Sequence, residues 1–415
     1  MKTYARYKDS GISWIGDVPE HWECCTLRKY LTFVSDKGHP DEQLLSVTRE
    51  QGVIIRNKES KEENHNFIPE DLSGYKLVKK GQFAINKMKS WQGSYAVSEY
   101  TGIVSPAYYI CNLRFEYKPF FNLAIRSKAY IPFFTMFSKG IRVDQWDLSP
   151  IGLKSIPFFE PPLPEQKAIA EYLDKKTAQI NELVSAKQKQ IELLKEYKQS
   201  VIANAVTGKL NKNCRMKDSG VSWIGKIPEN WEVDKLGHRF IQRKEKVSDK
   251  DYPPLSVSKM GVTPQLESAC KTDDGDNRKL VLKGDFVVNS RSDRKGSCGL
   301  SELDGSVSLI NIIATPRNID GHYIHYLFRS SNYIEEFYRM GRGIVADLWT
   351  TRWSEMRTIM IPVPPLSVQK EIVAYIEKKV SSIDFQIASI ENQIANLNEY
   401  KQSLISDVVT GKVKV

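Results

Sequence analysis

Two short loops carry the side chains best suited to recognition chemistry. "NKMKSWQGSY" at 86–95 offers Lys87, Lys89, Trp91, Gln92 and Ser94, and "NSRSDRKGSC" at 289–298 offers Arg291, Ser292, Arg294, Lys295 and Ser297. Ammonium and guanidinium groups neutralise phosphates, while Arg, Lys, Gln and Ser reach the donors and acceptors on base edges. Both loops follow a Gly-x-Phe stretch, Gly81 to Phe83 and Gly284 to Phe286, so the fold should present them alike. Their residues differ, as two readers of different targets should. Further candidates come in pairs. Arg49 and Gln51 in "SVTREQG" match Lys259 in "SVSKMGV", and Lys139 and Arg142 in "FSKGIRV" match Arg342 in "MGRGIV". A solvated basic turn has the same composition, so placement in the fold must decide.

Catalytic patterns are missing. No Gly-rich run ends in Gly-Lys-Ser/Thr, and no Gly-x-Gly-x-x-Gly opens a strand-to-helix unit. The "TGK" at 207–209 and 410–412 follows a helix and reads as its glycine stop. The histidines at 21, 39, 65, 238, 322 and 325 form no His-Glu-x-x-His motif, and His322 with His325 read as ordinary polar or packing residues. Asp41 followed by Glu59 and Lys61 resembles a nuclease carboxylate–lysine pattern. Glu59 and Lys61 lie in the charged stretch "RNKESKEENHN", and the pattern has no counterpart later in the chain and gives no reason to expect converging metal ligands. Six cysteines show no metal-ligand spacing and read as free thiols of a reducing compartment.

The elements that must hold these loops are written twice. "KDSGISWIGDVPEHW" at 8–22 returns as "KDSGVSWIGKIPENW" at 217–231, with 11 of 15 residues identical. "PPLPEQKAIAEYLDKKTAQI" returns as "PPLSVQKEIVAYIEKKVSSI", and "LLKEYKQSVIANAVTGK" as "NLNEYKQSLISDVVTGK". The middles are looser, with "YKLVKKGQFAIN" at 75–86 against "RKLVLKGDFVVN" at 278–289. Internal repeats decide the architecture. Here the order is variable domain, uniform helix, variable domain, uniform helix, with boundaries at 1–160, 161–210, 211–362 and 363–415. Trp14, Trp22, Trp223 and Trp231 are retained in both copies. A residue reading different targets should vary, so these four read as packing or docking residues.

Residues 165–204 and 368–407 read as long helices, each preceded by prolines and followed by glycine. Ile383, Ile387, Ile390, Ile394, Leu397 and Leu404 keep heptad spacing, and Ile180, Val184, Lys187, Ile191, Leu194 and Val201 hold the same register. Lys187 is the one polar seam residue. A stripe this narrow over roughly 60 Å is not buried by one helix alone. The two helices are therefore expected to pack on each other as an antiparallel coiled coil, giving a pseudo-twofold internal repeat. The larger domains read as mixed, so the fold class is α+β. "QFAI" and "DFVVN" read as strands, 119–137 and 320–339 as helical with "AYIPFFTMF" ambiguous, and 156–159 and 359–363 as last strands.

The 415-residue chain carries 27% charged and 41% hydrophobic residues with net charge +10, as a folded protein with a polyanionic partner would. It shows neither a signal-peptide core nor a run of membrane-spanning length, so a cytoplasmic location is expected.

The repeated segments, in this order, are similar to the specificity subunits of type I restriction-modification systems. The resemblance spans 8–415. It implies two target-recognition domains, each reading one half of a split, asymmetric site in double-stranded DNA. It implies that the paired helices set the gap between half-sites and dock two modification subunits. S-adenosylmethionine would be bound there, and ATP and Mg used with restriction subunits; the chain itself would hold no cofactor and do no chemistry. A coiled-coil adaptor gripping proteins, and a subunit guiding methylation alone, are the alternatives.

Overall fold

The computed structural model describes residues 3–57, 68–141, 146–210, 214–265, 275–343 and 349–415. By internal contacts the chain forms two compact units, 1–187 with 392–415, and 188–391. Each contains one globular domain, half of the first long helix and half of the second.

In the first unit an antiparallel sheet runs in the order Leu31–Val34, Tyr108–Leu113, Phe83–Asn86, Tyr95–Val97. Side chains alternate between its faces. Phe83, Ile85, Tyr95 and Cys111 join the main core with the helices Lys118–Ile125 and Ile131–Met136. Ala84, Ala96 and Ile110 face a smaller core with Leu45, Val47 and Val104. Both faces are covered, which explains the unbroken apolar "FAI". The second unit repeats this with Phe240–Arg243, Asn311–Pro316, Phe286–Asn289 and Cys298–Leu300.

The segments 119–137 and 320–339 are each two helices rather than one. The breaks fall between Ile125 and Ile131 and between Phe328 and Ser331. At each break a serine hydroxyl donates to a carbonyl three residues back, Ser127 to Ala124 at 2.7 Å and Ser330 to Leu327 at 2.6 Å. Pro132 adds a second reason in the first domain, because its ring does not fit inside a continuing helix.

The long helices are Leu163–Val206 and Leu366–Val409, 44 residues each and about 66 Å long. Buried Gln166 and Gln369 tie their starts to the preceding prolines, donating to the Pro161 and Pro364 carbonyls at 2.8 and 2.7 Å. Their ends share one chemistry. Gly208 and Gly411 are left-handed, both at φ +76°, and Lys209 and Lys412 amides return to Asn204 and Asp407 carbonyls at 2.8 Å. This double closure caps orphan carbonyls and makes "TGK" a helix terminator.

The two helices pack antiparallel. In the first unit Lys401 Nζ reaches Asn181 at 2.9 Å and Lys187 Nζ reaches Gln393 at 2.5 Å. In the second, Lys198 Nζ meets Asp384 at 2.7 Å. Seam residues Ile180, Ile191, Val201, Ile383, Ile390 and Leu404 are buried, while Val184, Leu194, Ile387, Ile394 and Leu397 are half-buried. Lys187 keeps its stem in the seam and delivers its ammonium to Gln393, which is how long cationic side chains behave at such positions.

The repeated tryptophan segments close on the repeated helix ends. A Cβ at Gly411 would lie 2.2 Å from Pro19 and 3.3 Å from Trp22; one at Gly208 would lie 2.3 Å from Pro228 and 3.1 Å from Trp231. The two motifs most alike between copies are thus each other's packing partners. Trp14 and Trp223 lie further out, 4.9 Å from Phe133 and 5.8 Å from Tyr333 by ring centres.

Candidate nucleic-acid interface

Each variable loop is the crossing between two strands of its domain's four-stranded sheet. In the first, the Asn86 amide donates to Ser94 O at 3.0 Å, and the turn Ser90–Gln92 ends on left-handed Gly93. In the second, Asn289 closes on Ser297 O at 2.9 Å around the turn Ser292–Arg294. Ser94 and Ser297 therefore belong to the loop necks. They are 3% and 6% exposed, and as buried groups they do not present hydroxyls to a ligand. Trp91 is half-buried against Trp146 at 5.6 Å.

The structure brings separate candidates together. In the first domain Lys139 pairs with Asp147 across a short ladder, and Asp147 Oδ2 takes Lys87 Nζ at 2.7 Å. That carboxylate holds the Lys87 ammonium above its ordinary pKa. In the second, Thr350 bridges to both Arg291 and Arg342, so two arginines 51 residues apart in the chain share one edge. The matching junction is fastened in both: Leu148 N to Lys87 O at 3.1 Å, and Thr351 N to Ser290 O at 3.1 Å. Lys89, Lys139, Arg291, Arg294, Lys295 and Arg342 are exposed, and Gln92 is half-buried. Arg142 lies outside the described residues, as do Glu59 and Lys61 of the nuclease-like stretch; of the Ser292 side chain nothing is described.

Several loop cations have local carboxylate partners. Arg291 and Arg294 share Asp293 at 3.2 and 3.6 Å, and Lys295 meets Glu335 at 3.2 Å. Exposed pairs of this kind are worth at most about 1 kcal/mol. A phosphate can displace them at little cost.

Arg49 and Gln51 sit exposed at the tip between Leu45–Thr48 and Gly52–Ile55, and Lys259 sits at the matching tip between Leu255–Ser258 and Gly261–Pro264. Two arginines that sequence reasoning passes over hold these tips. Arg126 Nη2 donates to Arg49 O and Glu50 O at 3.2 and 2.7 Å, and Arg329 donates to Lys259 O. Their signal is present in the chain: each is an Arg-Ser pair that follows the first helix of a helix pair, Lys118–Ile125 and Gly321–Phe328. A further cleft in the second domain, lined by Lys235, His238, Lys244, Arg352 and Arg357, likewise escapes sequence reasoning.

Burial pushes the Cys298 and Cys111 thiols up to about 12. Burial, then neighbouring Arg329, pushes His325 down to about 4, keeping it neutral. Among the described residues one cluster has metal-ligand spacing, Glu23, Cys25 and Glu160. Lys29 Nζ already occupies it, 3.1 Å from Glu160 and 3.5 Å from Cys25.

No family model matches the chain. It is 24% identical, over 97% of its length and 96% of the relative's, to a Methanocaldococcus jannaschii protein described as the MjaX type I restriction enzyme specificity subunit. It is 23% identical to the Escherichia coli EcoBI specificity subunit, over 61% of this chain and 57% of that one. Its fold matches a chain from a structure of a type I restriction-modification system, with TM-score 0.65, 15% identity and coverage of 95% and 99%. It also matches the HsdS subunit from Thermoanaerobacter tengcongensis, with TM-score 0.52, 14% identity and coverage of 95% and 98%. Sequence and fold agree from end to end: two mixed domains, two long paired helices and an internal repeat make this chain similar throughout to the specificity subunits of type I restriction-modification systems.

Proposed function

We propose that this chain is a non-catalytic DNA-reading subunit. Each domain reads one half of a bipartite, asymmetric duplex sequence, and the paired helices fix the number of base pairs between the halves. Two modification subunits dock on it and methylate adenine at the site, and restriction subunits join to cut. S-adenosylmethionine, ATP and Mg act in those partners. One observation carries this: the same junction of three segments occurs in both domains, with its packing residues retained and its exposed cations changed. Asn86, Gly93 and Ser94 return as Asn289, Gly296 and Ser297, while Lys87, Met88, Lys89 and Trp91 give way to Ser290, Arg291, Ser292 and Arg294, and Lys139 to Arg342. A scaffold gripping one partner type twice would keep those side chains too.

The test is an exchange of domains. Replacing residues 1–160 by the corresponding domain of another specificity subunit should change one half-site in the methylome of cells carrying the chain and its modification subunit. Changes in both halves, or in neither, refute the proposal; methylation without cutting identifies a subunit that guides modification alone. At residue level, Arg291→Ala is expected to weaken binding of the cognate duplex by ~1–3 kcal/mol where the guanidinium contacts a base. Competition against single-base variants checks it. A loss equal on all sequences assigns Arg291 to phosphate.

A further inference from the structure

Both domains place two lysines face to face across an antiparallel strand pair. Lys37 pairs with Lys76 in the first, and Lys246 with Lys279 in the second. Like charges directly opposite each other destabilise a sheet. Among the described residues, no carboxylate forms an ion pair with any of the four.

The outer lysines, Lys37 and Lys246, are exposed; the inner ones, Lys76 and Lys279, are half-buried. Each inner ammonium donates to one backbone carbonyl, Lys76 to Tyr108 O at 2.7 Å and Lys279 to Asn311 O at 2.6 Å. An ammonium has three donors, so the inner groups retain capacity. Burial pushes both below the ordinary lysine value, and Lys37 and Lys87 push Lys76 further. A neutral side chain could bond a carbonyl without this repulsion, so the positive charge itself calls for a reason.

Position supplies one. Tyr108 and Asn311 pair across the sheet with Asn86 and Asn289, the first residues of the two variable loops. The lysine pairs thus stand at the roots of the loops, and unlike the loops they are the same in both copies. We infer that Lys37–Lys76 and Lys246–Lys279 are a duplex-phosphate clamp common to both domains, gripping the DNA backbone beside the loops that differ. A phosphate there cancels the repulsion and fills the vacant donors. Contacts of this kind set register and carry no sequence information, which is why they need not vary.

The inference rests on the DNA-reading function proposed above, and its test separates the two. Full-length Lys76→Gln/Lys279→Gln protein, assembled with its modification subunits, is titrated with cognate and scrambled duplexes across a salt series. The slope of log affinity against log salt should fall by about 0.9 for each phosphate that the variant no longer neutralises. A roughly four-fold rise in salt should then weaken the wild type about 12-fold more than the double variant. The cognate-to-scrambled ratio should stay constant and Tm should hold or rise. An unchanged slope, a loss confined to the cognate duplex, or a lowered Tm with the slope intact overturns the clamp. If the double variant fails to fold, Lys37→Gln/Lys246→Gln at the exposed positions gives the same readout. A wild-type assembly that binds no duplex sinks the DNA-reading function itself; site-specific binding with every variant slope intact sinks only the clamp.

Discussion

Trp22→Ala should cost about 3–5 kcal/mol of stability, the range for deleting a large aromatic from a core. Trp22 is 1% exposed, and three elements of the first unit meet on it. Its ring backs onto Gly411 at the end of the second long helix, where no Cβ fits. Its Nε1 donates to Glu165 Oε1 at 3.1 Å, in the first turn of the first long helix. Glu165 also accepts from Tyr4 and pairs with His21 at 2.9 Å, and its charge favours the helix start. Trp231 is the matching residue in the second unit, 4% exposed against Gly208, but the position matching Glu165 is Val368. Trp22 therefore has a hydrogen bond to Glu165 that Val368 does not offer Trp231, besides an edge contact with Tyr4 at 6.2 Å between ring centres. Trp22→Phe should cost about 1.5–3 kcal/mol more than Trp231→Phe, the worth of a hydrogen bond to a charged group. Urea unfolding, followed separately for the two units, measures both. Equal losses would mean the Trp22–Glu165 bond contributes nothing to stability.

Some of this architecture is legible in the chain and some is not, for a physical reason. The long helices are legible because their signals are local: prolines at the start, glycine at the stop and a heptad between. The division of 119–137 and 320–339 into helix pairs is hidden because a serine reaching back three residues leaves no mark on apolar periodicity. The variable loops fall where expected, after the Gly-x-Phe strand, yet their electrostatics are not legible. Lys87 finds Asp147, and Arg291 meets Arg342 through Thr350, only once the chain has folded. Ser94 and Ser297 are a different lesson. They are retained in both copies, as are the tryptophans, and retention points to packing in both cases. Buried loop necks are what such repeated small residues make.

On the function proposed above, lengthening both long helices by one heptad should move the two half-sites apart without altering either. The natural insertion points follow Lys187 in the first helix and precede Asn392 in the second, which preserves the Lys187–Gln393 hydrogen bond. A heptad keeps the seam in register, where a shorter insertion would rotate it out of contact. It adds about 10 Å of helix, close to the rise of about three base pairs. Those base pairs also turn the duplex by about 100°, given 10–10.5 base pairs per turn. The heptad does not follow that rotation, so affinity should fall even at the new optimum. Position of the optimum is therefore the readout, not strength. A pool of duplexes holding both half-sites at every gap length, selected by the lengthened protein, should peak about three base pairs beyond the wild-type gap. Lengthening one helix alone leaves a heptad without a seam partner and should lower stability without defining a new gap. A peak at the wild-type gap would show that something other than the paired helices sets the distance.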